Sequence, residues 1–272
     1  MRIDSHAHGA WGWKPAPASL SAYVAECRRR GIEKILLIQA EKELFDAFDR
    51  CPDFIIPVAQ VNIDAVAPDE ISRLVERGAL GIKFIGPMHS YGDDRYFPLY
   101  ERINRLGATV VFHTGYLMVG LFDGACRFGR KESLIDITHM RPASIDRVVR
   151  GFPDLKILMA HFGNPWWEET WKMISTHRNV YADLSGGTAY RRSLLMWSEM
   201  FAPDGSLDAA SAGKLCFGSD TSYFIEGEFG FERYIQFYGK LYDRARMPPD
   251  LRETIDSGNC LRLFMPPAKK AP

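Results

Sequence analysis

Residues 155–163 read LKILMAHFG. Ile157, Leu158, Met159 and Ala160 follow one another with no polar residue between them. A strand wetted on one face alternates apolar with polar side chains, whereas a strand covered on both faces does not. The stretch therefore reads as a buried strand of the kind found in parallel sheets, and it ends on a histidine. Seven other stretches look the same: RIDSHAH (2–8), KILLIQA (34–40), FIIPVAQVNI (54–63), GIKFIGP (81–87), TVVFHTG (109–115), NVYADLS (179–185) and KLCFGSD (214–220). Amphipathic segments separate them. SLSAYVAECRRRG (19–31), AVAPDEISRLVERG (65–78), RYFPLYERINRLG (95–107) and PASIDRVVRG (142–151) each close on glycine, the usual helix stop. NPWWEETWKMISTHR (164–178) offers Asn164 as N-cap and Pro165 at the first helical position.

Eight strand–helix alternations predict one α/β domain, a (β/α)8 TIM barrel over residues 1–265, with 266–272 as a C-terminal tail. An open doubly wound sheet is the alternative, but no G-x-G-x-x-G follows the first strand. Residues 116–142 are too long for a plain connector and read as a loop lining the barrel mouth.

Composition narrows the function. The chain has 272 residues, 46% hydrophobic and 25% charged, with 34 basic against 34 acidic side chains. Zero formal charge argues against nucleic acid or an anionic membrane as partner. Cys27, Cys51, Cys126, Cys216 and Cys260 are scattered and form no C-x-x-C pair, which points to a reducing compartment rather than to a disulfide or zinc-knuckle scaffold. No signal-peptide pattern and no membrane-spanning run stand out, so a soluble cytoplasmic protein is expected.

The chemistry collects at strand ends. Residues i and i+2 of a strand share a face, so Asp4, His6 and His8 line up, with His8 nearest the C-terminal mouth. His113, His161 and Asp220 end three other runs, whereas His89, His139 and His177 fall in loops or a helix. Active sites of this fold lie at the C-terminal end of the strands. Imidazoles with a carboxylate suit one divalent ion, Zn²⁺ first, with Mn²⁺ or Fe²⁺ as alternatives. Such an ion acidifies water, and a neighbouring Asp can take the proton. Trp11, Trp13, Trp166, Trp167, Tyr223 and Phe224 follow these strand ends and could line an apolar pocket. Arg127, Arg130 and Arg141 in the long loop could meet a substrate carboxylate.

IDSHAH (3–8), GIKF (81–84), FHTG (112–115), MAHFG (159–163), FGSD (217–220) and GNCLRLF (258–264), in this order, resemble the amidohydrolase superfamily. The likeness is to its amidohydrolase-2 branch of TIM-barrel metal-dependent hydrolases, which also holds decarboxylases similar to aminocarboxymuconate semialdehyde decarboxylase. It runs from Ile3 to Phe264. The resemblance implies a single metal ion, usually zinc, held by His6, His8, His113 and Asp220, with His161 acting beside the metal. Some relatives carry a carboxylated lysine on the fourth strand. Lys83 falls near that place and is read as an unmodified amine facing a substrate carboxylate. Asp4 and Asp183 are candidates for fixing ligand orientation. The expected activity is hydrolysis of an ester, lactone or amide in a small organic molecule, with Asp220 as base. Non-oxidative decarboxylation of an aromatic or enoic acid on the same site is the alternative. A homodimer is expected from the habits of relatives.

Overall fold

The computed structural model describes residues 1–9, 18–117, 135–187, 189–222 and 230–265, with the side chains of 18 and 19 left out. Trp11, Trp13, Cys126, Arg127, Arg130, Tyr223, Phe224 and the tail 266–272 lie outside the described residues.

Strands and helices alternate as the apolar runs predict. In chain order they are β1 (Arg2–His8), α1 (Ala18–Arg29), β2 (Ile32–Gln39), α2 (Glu41–Arg50), β3 (Ile55–Val61), α3 (Pro68–Glu76), β4 (Gly81–Phe84), α4 (Phe97–Arg105), β5 (Thr109–His113), α5 (Asp146–Gly151), β6 (Lys156–Ala160), α6 (Trp167–Thr176) and β7 (Val180–Asp183). There follow α7 (Leu194–Phe201), α8 (Ala209–Ala212), β8 (Leu215–Cys216), β9 (Thr221–Ser222), α9 (Phe231–Arg244), α10 (Pro249–Glu253) and α11 (Asn259–Phe264). The strand order is β8-β7-β6-β5-β4-β3-β2-β1-β9. The run expected as the eighth strand, 214–220, holds only the two-residue β8; β9 follows just past its end, and the two stand at opposite ends of this order, separated in the chain by residues 217–220. That is the (β/α)8 barrel with its last strand position broken in the middle.

Two compact units make up the chain: residues 1–58 with 183–272, and residues 59–182. In the first, β1 pairs in parallel with β2 and with β9. Between Asp4 and Ala7, β1 carries one residue more than β2, a bulge of the kind that re-aims side chains. Ile35, Leu36, Leu37 and Ile38 of β2 are all fully buried, as a strand covered on both faces must be. Helix α9 buries Phe231, Tyr234, Phe237, Tyr238, Leu241 and Tyr242, an apolar stripe at helical spacing. In the second unit β4, β5, β6 and β7 run in parallel, with Val111 opposite Leu158 and His113 opposite Ala160. Helix α4 covers this sheet region with Leu99, Tyr100 and Ile103.

Helix α6 starts later than its sequence suggests. It begins at Trp167, because residues 161–163 form a tight left-handed turn and the Trp166 N–H is still bound to the Gly163 carbonyl at 2.6 Å. Asn164 is therefore part of the turn and not the N-cap. The segment expected as one helix from Pro142 begins as a 3-10 turn, Pro142–Ile145, before α5, and another 3-10 turn, Ile137–Met140, precedes it. Among the described residues no helix is long and apolar enough to cross a membrane.

Candidate active site

In the first unit, β1 and the break between β8 and β9 bring His6, His8 and Asp220 together. The two Nε2 atoms are 3.2 Å apart. Asp220 Oδ1 lies 3.5 Å from His6 Nε2 and 3.1 Å from His8 Nε2. Both histidines are buried, while the Asp220 side chain keeps 29% of its exposure and forms the open side of the cluster. The Asp220 N–H donates to the His6 carbonyl at 2.7 Å, so the ligand-type carboxylate is pinned to the strand that carries the histidines.

The other ring nitrogens set the tautomers. His8 Nδ1 donates to the Ile38 carbonyl of β2 at 3.0 Å, a bond that requires the proton on Nδ1. His6 Nδ1 lies 3.2 Å from Asp183 Oδ2, at the end of β7, and 3.2 Å from Ser185 Oγ. Ser185 in turn donates to the same Asp183 carboxylate. Neutral rings held this way present lone pairs, not protons, at both Nε2 atoms. Two nitrogen lone pairs and a carboxylate oxygen then face one another at 3.1–3.5 Å, which is repulsive unless a cation lies between them. The spacing matches such an ion: ligands bound tetrahedrally at about 2.0–2.1 Å are separated by ~3.3 Å. The donor set suits zinc, manganese or iron. The group therefore fits a divalent metal ion.

Asp4 takes a different part from the one its strand position suggests. Its carboxylate accepts from the His6 and Ser219 backbone N–H groups at 3.1 and 2.9 Å and from the Ser219 hydroxyl. Burial pushes the carboxyl up to about 7 against the pull of these bonds. It thus ties β1 to the 217–220 break, while Asp183 meets the imidazole. Ser185 and Ser219 were invisible as contributors in sequence, although each stands next to or two places from an acidic residue of the cluster.

In the second unit, β5 and β6 bring His113 and His161 side by side, with ring centroids 4.7 Å apart and ring planes at 64°. His113 Nε2 lies 3.2 Å from the Tyr116 carbonyl. His161 stands one residue beyond β6 and is only half-buried. Lys83 sits in β4 opposite Val111 and is 1% exposed. Trp166 packs on its own surroundings: it stacks with Tyr116 at 6.2 Å, and the Arg141 guanidinium lies 5.2 Å above its ring. Arg141 also binds Glu169, so that cation is already engaged.

Backbone strain marks the same places. Among the described residues five non-glycine residues have positive φ, and three of them are His161 (66°), Phe162 (49°) and Asp220 (58°). Such a conformation costs about 1–2 kcal/mol per L-residue and clusters at functional sites.

A family model described as amidohydrolase matches residues 3–265. The chain belongs to the amidohydrolase family. The match is to its amidohydrolase-2 branch, as the motif order implied, and it makes the chain an amidohydrolase-superfamily protein over nearly its full length. No curated protein sequence matches the chain. Among solved structures, an uncharacterised TIM-barrel protein from Bordetella bronchiseptica is 21% identical, with 96% of this chain and 97% of that one covered and a TM-score of 0.68. A probable 2-pyrone-4,6-dicarboxylic acid hydrolase from Acinetobacter baumannii is 14% identical, with 97% and 98% covered and a TM-score of 0.61. A dihydroxybenzoic acid decarboxylase from a Polaromonas species, solved with manganese and 2-nitroresorcinol, is 15% identical, with 97% and 96% covered and a TM-score of 0.64. At these identities the likeness establishes the TIM-barrel fold.

Proposed function

We propose that this amidohydrolase is a metal-dependent hydrolase that cleaves an ester, lactone or amide bond in a small organic molecule. The observation that carries the reading is the convergence of His6 Nε2, His8 Nε2 and Asp220 Oδ1 at ligand spacing, with both imidazole tautomers set from behind. His113 is taken as the further ligand, on the family resemblance. Zinc is the expected ion, with manganese and iron as alternatives. When bound, the ion supplies Lewis acidity: it polarises a carbonyl oxygen and acidifies water.

The chain's own residues do the rest. Asp220, on the open side of the cluster, accepts the proton of the attacking water. His161, half-buried beyond β6, donates a hydrogen bond to the oxygen that gains charge or a proton to the leaving group. Asp183 and Ser185 keep the His6 Nδ1 proton in place, and the Ile38 carbonyl does so for His8. Lys83 pairs with a substrate carboxylate. The same reading takes no nucleic acid or membrane as partner, a cytoplasmic setting and a homodimer.

A second reading is non-oxidative decarboxylation of an aromatic or enoic acid, favoured by the decarboxylase among the structural relatives. Here the same groups deliver a proton to carbon.

The test is to measure bound metal in the purified protein, then to follow phenyl acetate, 2-pyrone-4,6-dicarboxylate and 2,6-dihydroxybenzoate before chelation, after it and after metal return. Hydrolysis lost on chelation and in His8→Ala is the expected result. Carbon dioxide release without hydrolysis moves the assignment to the second reading. Turnover indifferent to both metal and His8 overturns the metal site itself.

A further inference from the structure

His161 owes its direction to an unusual backbone. His161, Phe162 and Gly163 have φ values of 66°, 49° and 69°, three left-handed residues in succession. A peptide of this sequence left to itself relaxes to the right-handed or extended region, and the imidazole swings with the Cα–Cβ bond when it does. Something outside the turn has to hold it.

Thr114, in the chain directly after β5, spans the turn. Its hydroxyl donates to the Ala160 carbonyl at 2.5 Å and accepts from the Gly163 N–H at 2.9 Å. Its own N–H reaches the Ala160 carbonyl as well, at 3.3 Å. One oxygen is thus bonded to the residue before His161 and to the residue two after it. Thr114 is 1% exposed, so water is a poor substitute for either bond. Its neighbours press the same two segments together. The Tyr116 N–H binds the Asn164 carbonyl at 2.8 Å, and a methyl built on Gly115 (φ 97°) would stand 2.1 Å from that oxygen.

We propose that Thr114 is a positioning residue: by bracketing the left-handed turn through Ala160 and Gly163, its hydroxyl aims the His161 imidazole. The proposal deepens the functional reading and rests on it for its importance, because His161 is the side chain it serves. Threonine is required here for its oxygen and not its shape. Valine fills the same space without the two bonds, and serine keeps both.

The experiment compares wild type, Thr114→Val and Thr114→Ser by amide hydrogen exchange at Gly163. It also follows the His161 ring signal in a histidine-labelled NMR spectrum, assigned by its loss in His161→Gln. In the wild type, Gly163 exchange is expected to be as slow as in the core strands. Thr114→Val speeds it at least tenfold, to order of magnitude, and moves the His161 ring signal. Thr114→Ser restores both. On whichever of phenyl acetate or 2,6-dihydroxybenzoate is turned over, the valine variant lowers kcat with KM and metal content unchanged. A Gly163 amide that exchanges freely in the wild type overturns the proposal, and that measurement decides even if the valine variant does not fold. So does a folded valine variant with unaltered Gly163 exchange and ring signal. Full turnover in His161→Gln is a different failure: it removes the role of His161 and leaves the geometry of the turn standing.

Discussion

His6 uses its two nitrogens in opposite ways. Nδ1 gives its proton toward Asp183 and Ser185, and Nε2 turns a lone pair toward His8 and Asp220. An amide in place of the carboxylate keeps the shape and loses the charge that makes the ring a good donor to metal. Asp183→Asn should therefore weaken metal affinity by roughly 10–100-fold, read by competition with a chelating dye. Asp220→Asn turns the anionic ligand-type oxygen into a neutral amide one and removes the proposed base, and a fall in kcat of at least about 10²-fold is expected in steady-state assays. At Phe162 two effects oppose each other. Glycine would release about 1–2 kcal/mol of left-handed strain. The ring is fully buried, however, and removing a buried Phe costs about 3–5 kcal/mol. Burial wins, so Phe162→Gly should lower unfolding stability by roughly 2 kcal/mol in urea titration.

Elements meet the site through a few buried hydroxyls. Tyr238 of α9 donates to the Cys216 carbonyl of β8 at 2.8 Å and accepts from the Leu184 N–H, just past β7, at 3.0 Å. One phenol thus holds the end of the strand that carries Asp183 beside the strand that leads to Asp220. Tyr238→Phe leaves a buried N–H and a buried carbonyl without it, a loss of about 1–3 kcal/mol, checked by thermal melts. A second chain of hydroxyls ties α1 to the break in the eighth strand: Tyr23 to Thr221 at 2.9 Å, Thr221 to Ser219 at 2.8 Å, and Ser219 to Asp4. The break is thus a bonded structure, and Asp220, with its positive φ, stands at its end beside His6.

At the scale of the molecule, an ion that binds the native cluster and not the unfolded chain adds stability by mass action. At a hundred times its dissociation constant the gain is about 2.7 kcal/mol. For a chain of this size that raises Tm by roughly 5 °C. Calorimetry with and without chelator should show the shift, and His8→Ala should abolish it. Burial also pushes the thiols of Cys27, Cys216 and Cys260 up, and the thiol form is a poor nucleophile. A small alkylating reagent should leave these three unmodified until denaturant is added, as read by peptide mass spectrometry.

The alternation of strands and helices was legible from residue order alone, because apolar periodicity is a local property of each segment. LKILMAHFG and its seven counterparts announced β1 to β8, RIDSHAH matched β1 residue for residue, and β9 at Thr221–Ser222 lies just past the last run. The ligand-type residues at strand ends were legible for the same reason. Which groups turn those residues was not. The partner of His6 Nδ1 lies 177 residues away, on a strand that is not a neighbour of β1, and that of His8 Nδ1 lies 30 away, set by the register of β1 against β2. Period-two alternation places a side chain on a face but not opposite a given neighbour. The left-handed turn at His161, the broken eighth strand and the late start of α6 likewise came from bonds between segments. Residue order chose the candidates for the chemistry; the packing of one strand against the next chose their tautomers and their aim.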